Sequence, residues 1–299
     1  MPDQPGNQSD SLELAPQTSV GDAIRRGAQR LAETSAGSAR LDAQLLLAHV
    51  LGTDRSWLFA HFDTILTAGQ SAGFAALIAR RHAHEPVAYL VGYKEFYGIA
   101  VQVDRRVLIP RPETEMLVDA VLKLAAARAA QRLLVADVGA GSGAIALALA
   151  SHAPGVHVYA VDVSADALAV AAANRARLQL QERITLLQGD LLAPLPERVD
   201  VVVANLPYVT SADYSALEPG VGLYEPRLAL EAGAQGLDVI ARLLPQLPAA
   251  LNPGGVALLE IGYNQGEWML DLVARTLPAA RATLDQDLQG HDRMVTIAL

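Results

Sequence analysis

Short apolar segments alternate with helical segments through the last two thirds of the sequence. A segment that is apolar throughout is typical of a strand buried on both faces, and helices between such strands are typical of parallel sheets. The alternation therefore predicts an α/β domain with a mainly parallel, seven-stranded sheet covered by helices. Predicted strands span 133–138, 157–161, 184–187, 199–204 and 255–261 with two more near Thr283 and Met294, and predicted helices span 144–151, 165–178, 236–249 and 265–277.

A different pattern precedes this domain. Residues 1–16 are polar and predict a disordered tail, whereas residues 17–85 have the apolar spacing of helices and predict a small helical domain. Asp22 and Ser38 are placed to cap two of its helices, and Gly52 is placed to end the second. Two further helices are predicted over 56–61 and 67–81.

Residues 86–109 change from the helical period to the alternating period of extended chain. Gly92 and Gly98 interrupt this segment, which predicts a β-hairpin that links the helical domain to the α/β domain. The α/β domain is then expected to cover residues 110–299.

Composition narrows the classes of protein and of site. Cysteine is absent, which excludes disulfides and a cysteine nucleophile, and the seven histidines have no spacing typical of a metal site. No run of about 18 uncharged apolar residues occurs, and the amino terminus is acidic, so we expect no membrane segment or secretion signal and place the protein in the cytoplasm. The net charge of −9 falls mostly on residues 109–299, which carry 13 basic and 21 acidic side chains, and this disfavours binding to a nucleic-acid backbone.

A glycine-rich segment follows the first predicted strand of the α/β domain. Glycines allow a sharp turn and a close approach of the backbone to a ligand. The same spacing also fits a dinucleotide-binding fingerprint, or a turn that binds nothing. Asp137 before the loop would repel a pyrophosphate but suits a cationic ligand, and Asp162 at the end of the second strand can accept hydrogen bonds from two ribose hydroxyls. The candidate loop residues are Gly139, Ala140, Gly141, Ser142 and Gly143.

A polar amide, a proline and an aromatic ring stand directly after the predicted strand 199–204. In an open α/β sheet, ligands gather beyond the carboxyl ends of the strands. The side-chain oxygen of Asn205 and the carbonyl of Leu206 can each accept one N–H of a planar NH2 group. Pro207 favours extended geometry, and Tyr208 offers a stacking surface. The tetrapeptide therefore predicts a cradle that positions the NH2 group of an amide or amine for attack on an electrophile. The alternative is that these residues form a turn that binds nothing.

The loop and the two aspartates resemble the first two motifs of class I methyltransferases, which use S-adenosylmethionine. The resemblance implies a Rossmann-like fold in which the loop from Gly139 to Gly143 surrounds the donor and Asp162 binds the ribose. The adjacent Val163 is also part of the implied donor site. It also implies that Asp190 and Leu191, which follow the third strand, line the adenine, although Asp190 is equally suited to cap a helix. Asp137 and Asn205 complete the implied donor site.

The tetrapeptide resembles the Asn-Pro-Pro-Tyr motif of methyltransferases that act on planar amines, including DNA adenine enzymes and protein glutamine enzymes. Further segments are similar to the release factor glutamine methyltransferases, and they occur in order over about residues 18–299. Leu206 stands where that family has its first proline, but the carbonyl of Leu206 is still available as a hydrogen-bond acceptor. Residues 233–238 also differ from the family in the order of their glycines and aspartate. The similar segments are 42–49, 95–98, 108–115, 225–230 and 259–267.

The resemblance implies methyl transfer from S-adenosylmethionine to the side-chain amide of the glutamine in the Gly-Gly-Gln loop of peptide chain release factors, which would modulate translation termination. It also implies that the helical domain recognises the release factor and that Arg111, Glu113 and Thr114 shape the donor pocket. We expect a monomer that binds no nucleic acid, membrane or metal. Three alternatives stay open: a ribosomal protein glutamine methyltransferase, a DNA adenine methyltransferase, and a cofactor-binding interaction protein without turnover.

Overall fold

The computed structural model describes residues 12, 14–15, 17–35, 37–128 and 132–299. The predicted tail over residues 1–16 falls almost entirely outside these described residues. The chain divides into two compact units, one ending at Gly92 and the other beginning at Tyr93. Within the described residues, no helix is long and apolar enough to span a membrane, and no cluster of three or more histidines or carboxylates could hold a metal ion.

Helices pack around one apolar core in the first unit. The core centres on Leu46, Leu47, Phe74 and Ile78, whose side chains are fully buried. Because these residues recur at helical spacing, each helix presents one apolar face to the others. The helices are α1 (Val20–Leu31), α2 (Ala39–Leu51), α3 (Arg55–Ala60), α4 (Ala68–His82) and α5 (Val87–Val91).

The ends of α1 and α2 follow local capping chemistry. The prediction that Asp22 caps the first helix is wrong, because Ser19 has the extended backbone of an N-cap and its Oγ accepts the Asp22 N–H at 3.2 Å. Asp22 lies instead in the first turn, where the helix dipole favours a negative charge. Ser38 does precede α2, but its hydroxyl donates to the side chain of Asp42. Gly52 ends α2 as predicted, and its φ of +65° suits glycine.

The segment predicted to be extended from residue 86 begins with the short helix α5 instead. Pro86 has the fixed φ that suits a helix start, and Gly92, with a φ of +86°, ends the helix after little more than one turn. The hairpin is therefore shorter than predicted, with strands β1 (Tyr93–Phe96) and β2 (Ile99–Gln102). Tyr97 and Gly98 form its two-residue turn, and both have the positive φ that a type I′ turn requires.

A seven-stranded sheet forms the centre of the second unit, as the sequence predicts. Its strands are β3 (Leu133–Val138), β4 (Val156–Asp162), β5 (Ile184–Gln188), β6 (Val199–Ala204), β7 (Leu251–Glu260), β8 (Arg281–Gln286) and β9 (Asp292–Ala298). The order across the sheet is β5-β4-β3-β6-β7-β9-β8; the first five are parallel, and β9 is antiparallel to both of its neighbours. The chain changes direction across the sheet between β3 and β6, which is where open α/β sheets bind ligands.

The helices of the second unit differ from the prediction in several places. The helix α6 (Glu115–Ala127) was not anticipated, and the helix predicted over 236–249 is broken because Pro245 and Pro248 cannot donate backbone hydrogen bonds. A 3-10 turn, Leu244–Gln246, separates the two resulting pieces. The other helices are α7 (Ala144–His152), α8 (Ala165–Arg177), α9 (Ser211–Tyr214), α10 (Pro219–Gly222), α11 (Asp238–Leu243), α12 (Leu247–Ala250) and α13 (Gly266–Thr276). Of these, the short helices α9 and α10 were not predicted.

Candidate active site

Loops at the carboxyl ends of β3, β4, β5 and β6 enclose a cavity of about 400 Å³. This size is within the range of small-molecule sites, which is about 300 to 1,000 Å³. The cavity brings together many of the residues that the sequence predicts for a donor site and an acceptor site. Those that line it are Gly139, Gly141, Asp162, Val163, Asp190, Leu191, Asn205, Leu206 and Pro207, whereas Asp137, Ala140, Ser142, Gly143 and Tyr208 do not line it.

The glycine loop forms one wall of the cavity and lies close to the tetrapeptide. Gly139, Gly141 and Gly143 have φ values of +74°, +55° and +81°, which residues with a side chain rarely adopt. A Cβ added at Gly139 would lie 3.0 Å from Cδ2 of Leu206. The loop after β3 and the loop after β6 are therefore in direct contact, and a side chain at position 139 would push them apart.

Two aspartates of the cavity wall are held by specific partners. Asp162 ends β4; its Oδ2 accepts the Gly141 N–H at 2.8 Å and its Oδ1 accepts the Ser164 N–H at 2.9 Å. Each carboxylate oxygen can accept more than one hydrogen bond, so both retain acceptor capacity for ribose hydroxyls. Asp190 forms an ion pair with Arg242, which also lines the cavity and was not predicted. The alternative role of Asp190 as a helix cap is wrong, because only turns follow it before β6.

Asp137 lies behind the glycine loop and does not line the cavity. It is 1% exposed; its Oδ2 accepts the Ala146 N–H at 3.1 Å, and its Oδ1 has no hydrogen-bond partner among the described residues. Burial raises the pKa of Asp137 to about 7, the Ala146 hydrogen bond lowers it, and the nearby charge of Asp162 raises it further. The Asp137 carboxyl group therefore lies beneath the loop with one oxygen unpaired among the described residues, and its burial opposes ionisation.

The tetrapeptide after β6 is held from several sides. Nδ2 of Asn205 donates a hydrogen bond to Oγ1 of Thr114 at 2.9 Å. The other polar atom of the Asn205 amide, Oδ1, is then the one that can accept an N–H of a planar NH2 group. The carbonyl of Tyr208 accepts a hydrogen bond from Nε2 of Gln265 at 2.9 Å, and a Cβ added at Gly236 would lie 2.2 Å from the same carbonyl oxygen. These contacts hold both ends of the tetrapeptide in place.

Glu260, the last residue of β7, is a functional candidate for which the sequence predicted no role. It is buried; its Oε1 accepts a hydrogen bond from the Tyr208 hydroxyl at 3.4 Å, and its Oε2 has no partner among the described residues. Burial raises the pKa of Glu260 to about 7, and the polar side chains of Thr114 and Tyr208 lower it. Burial and the nearby Glu260 raise the pKa of Tyr208, so its hydroxyl stays a donor. The signals in the sequence are a carboxylate at the end of an apolar strand and the position of that carboxylate in the family-like segment 259–267.

Arg111, Glu113 and Thr114 were expected to shape the donor pocket, but none of the three lines the cavity. Arg111 pairs with Glu225 instead. Its Nη2 donates to Oε1 of the buried Glu225 at 2.6 Å, and Oε2 of Glu225 accepts the Ile109 N–H at 3.1 Å. This ion pair ties the chain at 109–111 to the segment that begins after Glu225. Further lining residues that were not predicted as a site lie in 106–108 and 226–229 and at Val239 of α11.

Comparisons with known proteins identify the family and the fold. Residues 22–92 match the family model described as PrmC N-terminal domain, and residues 113–218 match Methyltransferase small domain. The chain is 42% identical over 266 residues to a release factor glutamine methyltransferase of Geobacter sulfurreducens, covering 89% of this chain and 91% of the relative. It is 41% identical over 278 residues to a release factor glutamine methyltransferase of Cereibacter sphaeroides, covering 93% and 98%. A methyltransferase structure from Pyrococcus furiosus, with 17% identity and a TM-score of 0.50, covers 67% of this chain and 88% of its own and shares the fold.

Proposed function

The chain belongs to the release factor glutamine methyltransferase family, and from that membership we propose that its acceptor is the glutamine of the Gly-Gly-Gln loop of a peptide chain release factor. It is an S-adenosylmethionine-dependent methyltransferase, and the methyl group goes to the side-chain amide nitrogen. Modification of that loop would modulate translation termination. The observation that carries the proposal is the Asn205 amide, which is oriented by Thr114 at the wall of the cavity that also contains Asp162.

The residues of the cavity fit S-adenosylmethionine. The carboxylate of Asp162 is fixed by two backbone N–H groups and suits the ribose hydroxyls. Asp137 has a buried oxygen without a partner and suits a cationic ligand close to the glycine loop. Leu191 and Val163 provide apolar wall on which an adenine can lie. When bound, S-adenosylmethionine supplies an electrophilic methyl group on a cationic sulfur.

Placement is what the tetrapeptide contributes to the reaction. An amide nitrogen is a weak nucleophile because its lone pair is delocalised into the carbonyl. If Oδ1 of Asn205 and the carbonyl of Leu206 each accept one N–H of the glutamine amide, the NH2 plane is fixed with its face toward the methyl group. Holding two reactants in attack geometry can lower the barrier by about 7 to 11 kcal/mol. The bound donor would supply the methyl group to the amide nitrogen, and the methylated amide would lose one N–H proton to water.

Tyr208 and Leu206 support this geometry in different ways. Leu206 is 4% exposed and packs in the apolar core of the second unit, so the position of its backbone carbonyl is determined by a buried side chain. The hydroxyl of Tyr208 is directed to Glu260, which leaves the ring as the surface for the planar glutamine amide. The departure from the family's proline at 206 therefore preserves the acceptor carbonyl.

The experiment that tests this function measures the transfer of labelled methyl groups from S-adenosylmethionine to a purified release factor. A release factor with alanine in place of the loop glutamine should receive no label. Asn205→Ala should lower transfer by at least about 10²-fold, with donor affinity in calorimetry changed far less. Asn252→Ala is the matched control, because Asn252 bonds to Asp200 away from the cavity, and it should leave transfer unchanged. Transfer to a ribosomal protein but not to the release factor would refute the acceptor.

We also infer that the first unit recognises the release factor. Two observations support this assignment. Residues 22–92 of the first unit match a family model of their own, and every residue that lines the cavity belongs to the second unit, so the chemistry does not need the first. Charge reversal at Arg25, which is an exposed residue of α1, should raise KM for the release factor without a change in donor affinity.

A further inference from the structure

A buried asparagine of α8, Asn174, joins the glycine loop to the hairpin. Its side chain is 0% exposed. Nδ2 donates to the Ser142 carbonyl at 3.0 Å and to the Gln102 carbonyl at 2.9 Å, and Oδ1 accepts the Gln102 N–H at 2.8 Å. Both protons of the amide are thereby used. One side chain therefore holds the backbone of two segments that are far apart in the sequence.

Only one orientation of the Asn174 amide fits these partners. Two of the partner groups are carbonyls and the third is an N–H, so Nδ2 must face the carbonyls of Ser142 and Gln102. If the amide turned over, its oxygen would face two carbonyl oxygens and its NH2 group would face an N–H. Because the side chain is buried, either mismatch would leave polar groups without a partner. The amide is therefore fixed in place.

Gln102 lies on a strand that has an unpaired edge. The hairpin sheet contains only β1 and β2, and residues along such an edge direct backbone N–H and C=O groups away from the partner strand. Asn174 bonds to both backbone groups of Gln102, and Arg177, about one turn further along α8, donates to the Ala100 carbonyl. Side chains of α8 thus take the place of a third strand along β2.

The two segments that Asn174 joins both continue into walls of the cavity. Ser142 stands next to Gly141, which lines the cavity. Gln102 ends β2, and residues 106–108, which also line the cavity, follow shortly after it. Asn174 does not line the cavity itself. It lies behind two of the walls and determines how far apart they are.

The face of α8 that carries Asn174 follows the glycine loop closely. Ala171 lies so near that a Cβ added at Gly143 would be 3.3 Å from the Ala171 Cβ. Ala167, one turn earlier, lines the cavity. Residues at this spacing share one face of a helix, so this face runs along the donor loop from the cavity to Ser142. Asn174 is the residue on it that bonds to a carbonyl of the loop.

We propose that Asn174 is a positioning residue of the donor site, since it holds the glycine loop and β2 together and thereby shapes the cavity for S-adenosylmethionine. Asn174 does not touch the donor; it acts through Ser142 on the loop and through Gln102 on the wall at 106–108. The inference rests on the proposed function in that it takes this cavity as the donor site. Coupling is reciprocal: if the Asn174 bonds favour donor binding, the bound donor must stabilise these bonds by the same factor.

Hydrogen exchange of single amides in the full-length protein tests this reciprocity without any substitution. The Gln102 N–H donates directly to Asn174, so its exchange rate reports on that contact. Saturating S-adenosylmethionine should slow exchange at Gln102 by at least about fivefold. The Tyr97 amide is the matched reference, because it lies in the same hairpin but donates to Oε1 of Glu115 at 2.9 Å, and its exchange should slow by less than about twofold. Equal slowing at both amides, or no slowing at Gln102, would overturn the proposal.

Two substitutions test the effect on donor binding. Asn174→Asp keeps the shape of the side chain, but a carboxyl group has at most one proton to donate, so at least one of the carbonyls of Ser142 and Gln102 loses its donor. Asn174→Ala removes all three bonds. In both variants the donor Kd in calorimetry and the KM for the donor should rise by about tenfold or more. At saturating donor and release factor, kcat should stay within about twofold of the unaltered protein.

Asn252→Asp is the matched control. It makes the same chemical change where the amide nitrogen bonds to Oδ1 of Asp200 at 3.1 Å, away from the cavity. This variant should have a lower melting temperature, with a donor Kd within about twofold of the unaltered protein. A residue with a purely structural role at position 174 would behave in the same way, lowering the melting temperature without changing Kd or KM in the folded protein.

Asp162→Ala separates this proposal from the donor site itself. It removes the carboxylate that suits the ribose hydroxyls and should raise the donor Kd by about tenfold or more. An unchanged Kd in Asp162→Ala would refute the placement of the donor in this cavity, and the role of Asn174 would fail with it. If Asp162→Ala weakens binding whereas both Asn174 variants lower only the melting temperature, the role of Asn174 is overturned and the donor site remains. Transfer to an acceptor other than a release factor would refute the proposed acceptor and leave these binding measurements unchanged.

Discussion

Replacement of Asp137 by asparagine should make the second unit more stable at neutral and alkaline pH. The carboxyl group is almost completely buried, and one of its oxygens has no partner among the described residues. Because its pKa is higher in the folded state, the folded protein keeps a proton over a pH range in which the unfolded chain has lost it, and stability falls as pH rises through that range. Asparagine keeps an oxygen that can accept the Ala146 N–H but cannot ionise.

The size of the effect follows from the difference in pKa. A rise from 3.8 to about 7 corresponds to about 4 kcal/mol of unfolding free energy, at about 1.4 kcal/mol per pKa unit. The penalty is absent below about pH 4, where Asp137 is protonated in both states, and complete above about pH 7. About 2 to 3 kcal/mol of it develops between about pH 5 and about pH 8. The gain in stability should be accompanied by weaker binding of the cationic methyl donor.

The two tryptophans of the chain make this measurement specific to the second unit. Trp57 lies in the first unit and Trp268 lies in α13 of the second, so Trp268 fluorescence in a Trp57→Phe background follows urea unfolding of the second unit. The difference in unfolding free energy between Asp137→Asn and its parent should widen by about 2 to 3 kcal/mol from about pH 5 to about pH 8. A difference in unfolding free energy that does not change with pH would refute the raised pKa of Asp137. An Asp137→Asn variant that is less stable than its parent at about pH 8 would refute the argument that the buried charge destabilises the fold.

Two substitutions test the support of the tetrapeptide. Leu206→Pro should keep kcat within about tenfold, or about 1.4 kcal/mol of barrier, because the acceptor carbonyl remains; complete loss of turnover would show that the loop depends on the leucine geometry. Gly236→Ala should lower both kcat and the unfolding free energy, the latter by about 2 kcal/mol or more, because φ is +70° and the new Cβ would lie 2.2 Å from the Tyr208 carbonyl oxygen. Gly254→Ala is the control in urea unfolding and kcat assays, because Gly254 has a φ of +74° but open space around it. Equal losses in both variants would assign the effect of Gly236→Ala to backbone strain alone.

The parts of the fold that the sequence predicted well are those determined by short-range patterns. The strands at 133–138 and 199–204 have the predicted limits, because each is a mainly apolar run that begins after an arginine and ends before a glycine or an asparagine. The helix over 236–249 was predicted as continuous although Pro245 and Pro248 interrupt it, and these prolines were a readable signal. The helix α6 was missed although Leu117, Val118 and Val121 form a buried stripe at helical spacing.

The sequence predicted the chemical groups of the candidate site but only some of the contacts between them. The glycine loop, Asp162 and the tetrapeptide are local motifs, and the parallel strands bring them to one edge of the sheet. The role of Asp137 was not predictable from residue type, because the burial that raises its pKa depends on the packing of α7 above it. The contact of Thr114 with Asn205 joins residues far apart in the chain, and it follows from how the turn before α6 packs, which no short-range pattern shows.

Asp137 and Glu260 lie on the two sides of β6, the strand that Asn205 follows. The order β3-β6-β7 makes this unavoidable, since Asp137 is the penultimate residue of β3 and Glu260 is the last residue of β7. Methyl transfer moves positive charge from the sulfur of the donor to the nitrogen of the acceptor amide, so a negative potential on both sides of β6 is favourable before and after the transfer. Each carboxyl group has a pKa of about 7 because burial opposes its ionisation. Ionisation near neutral pH therefore weakens the fold while it prepares the site, and stability and turnover should change in opposite directions with pH.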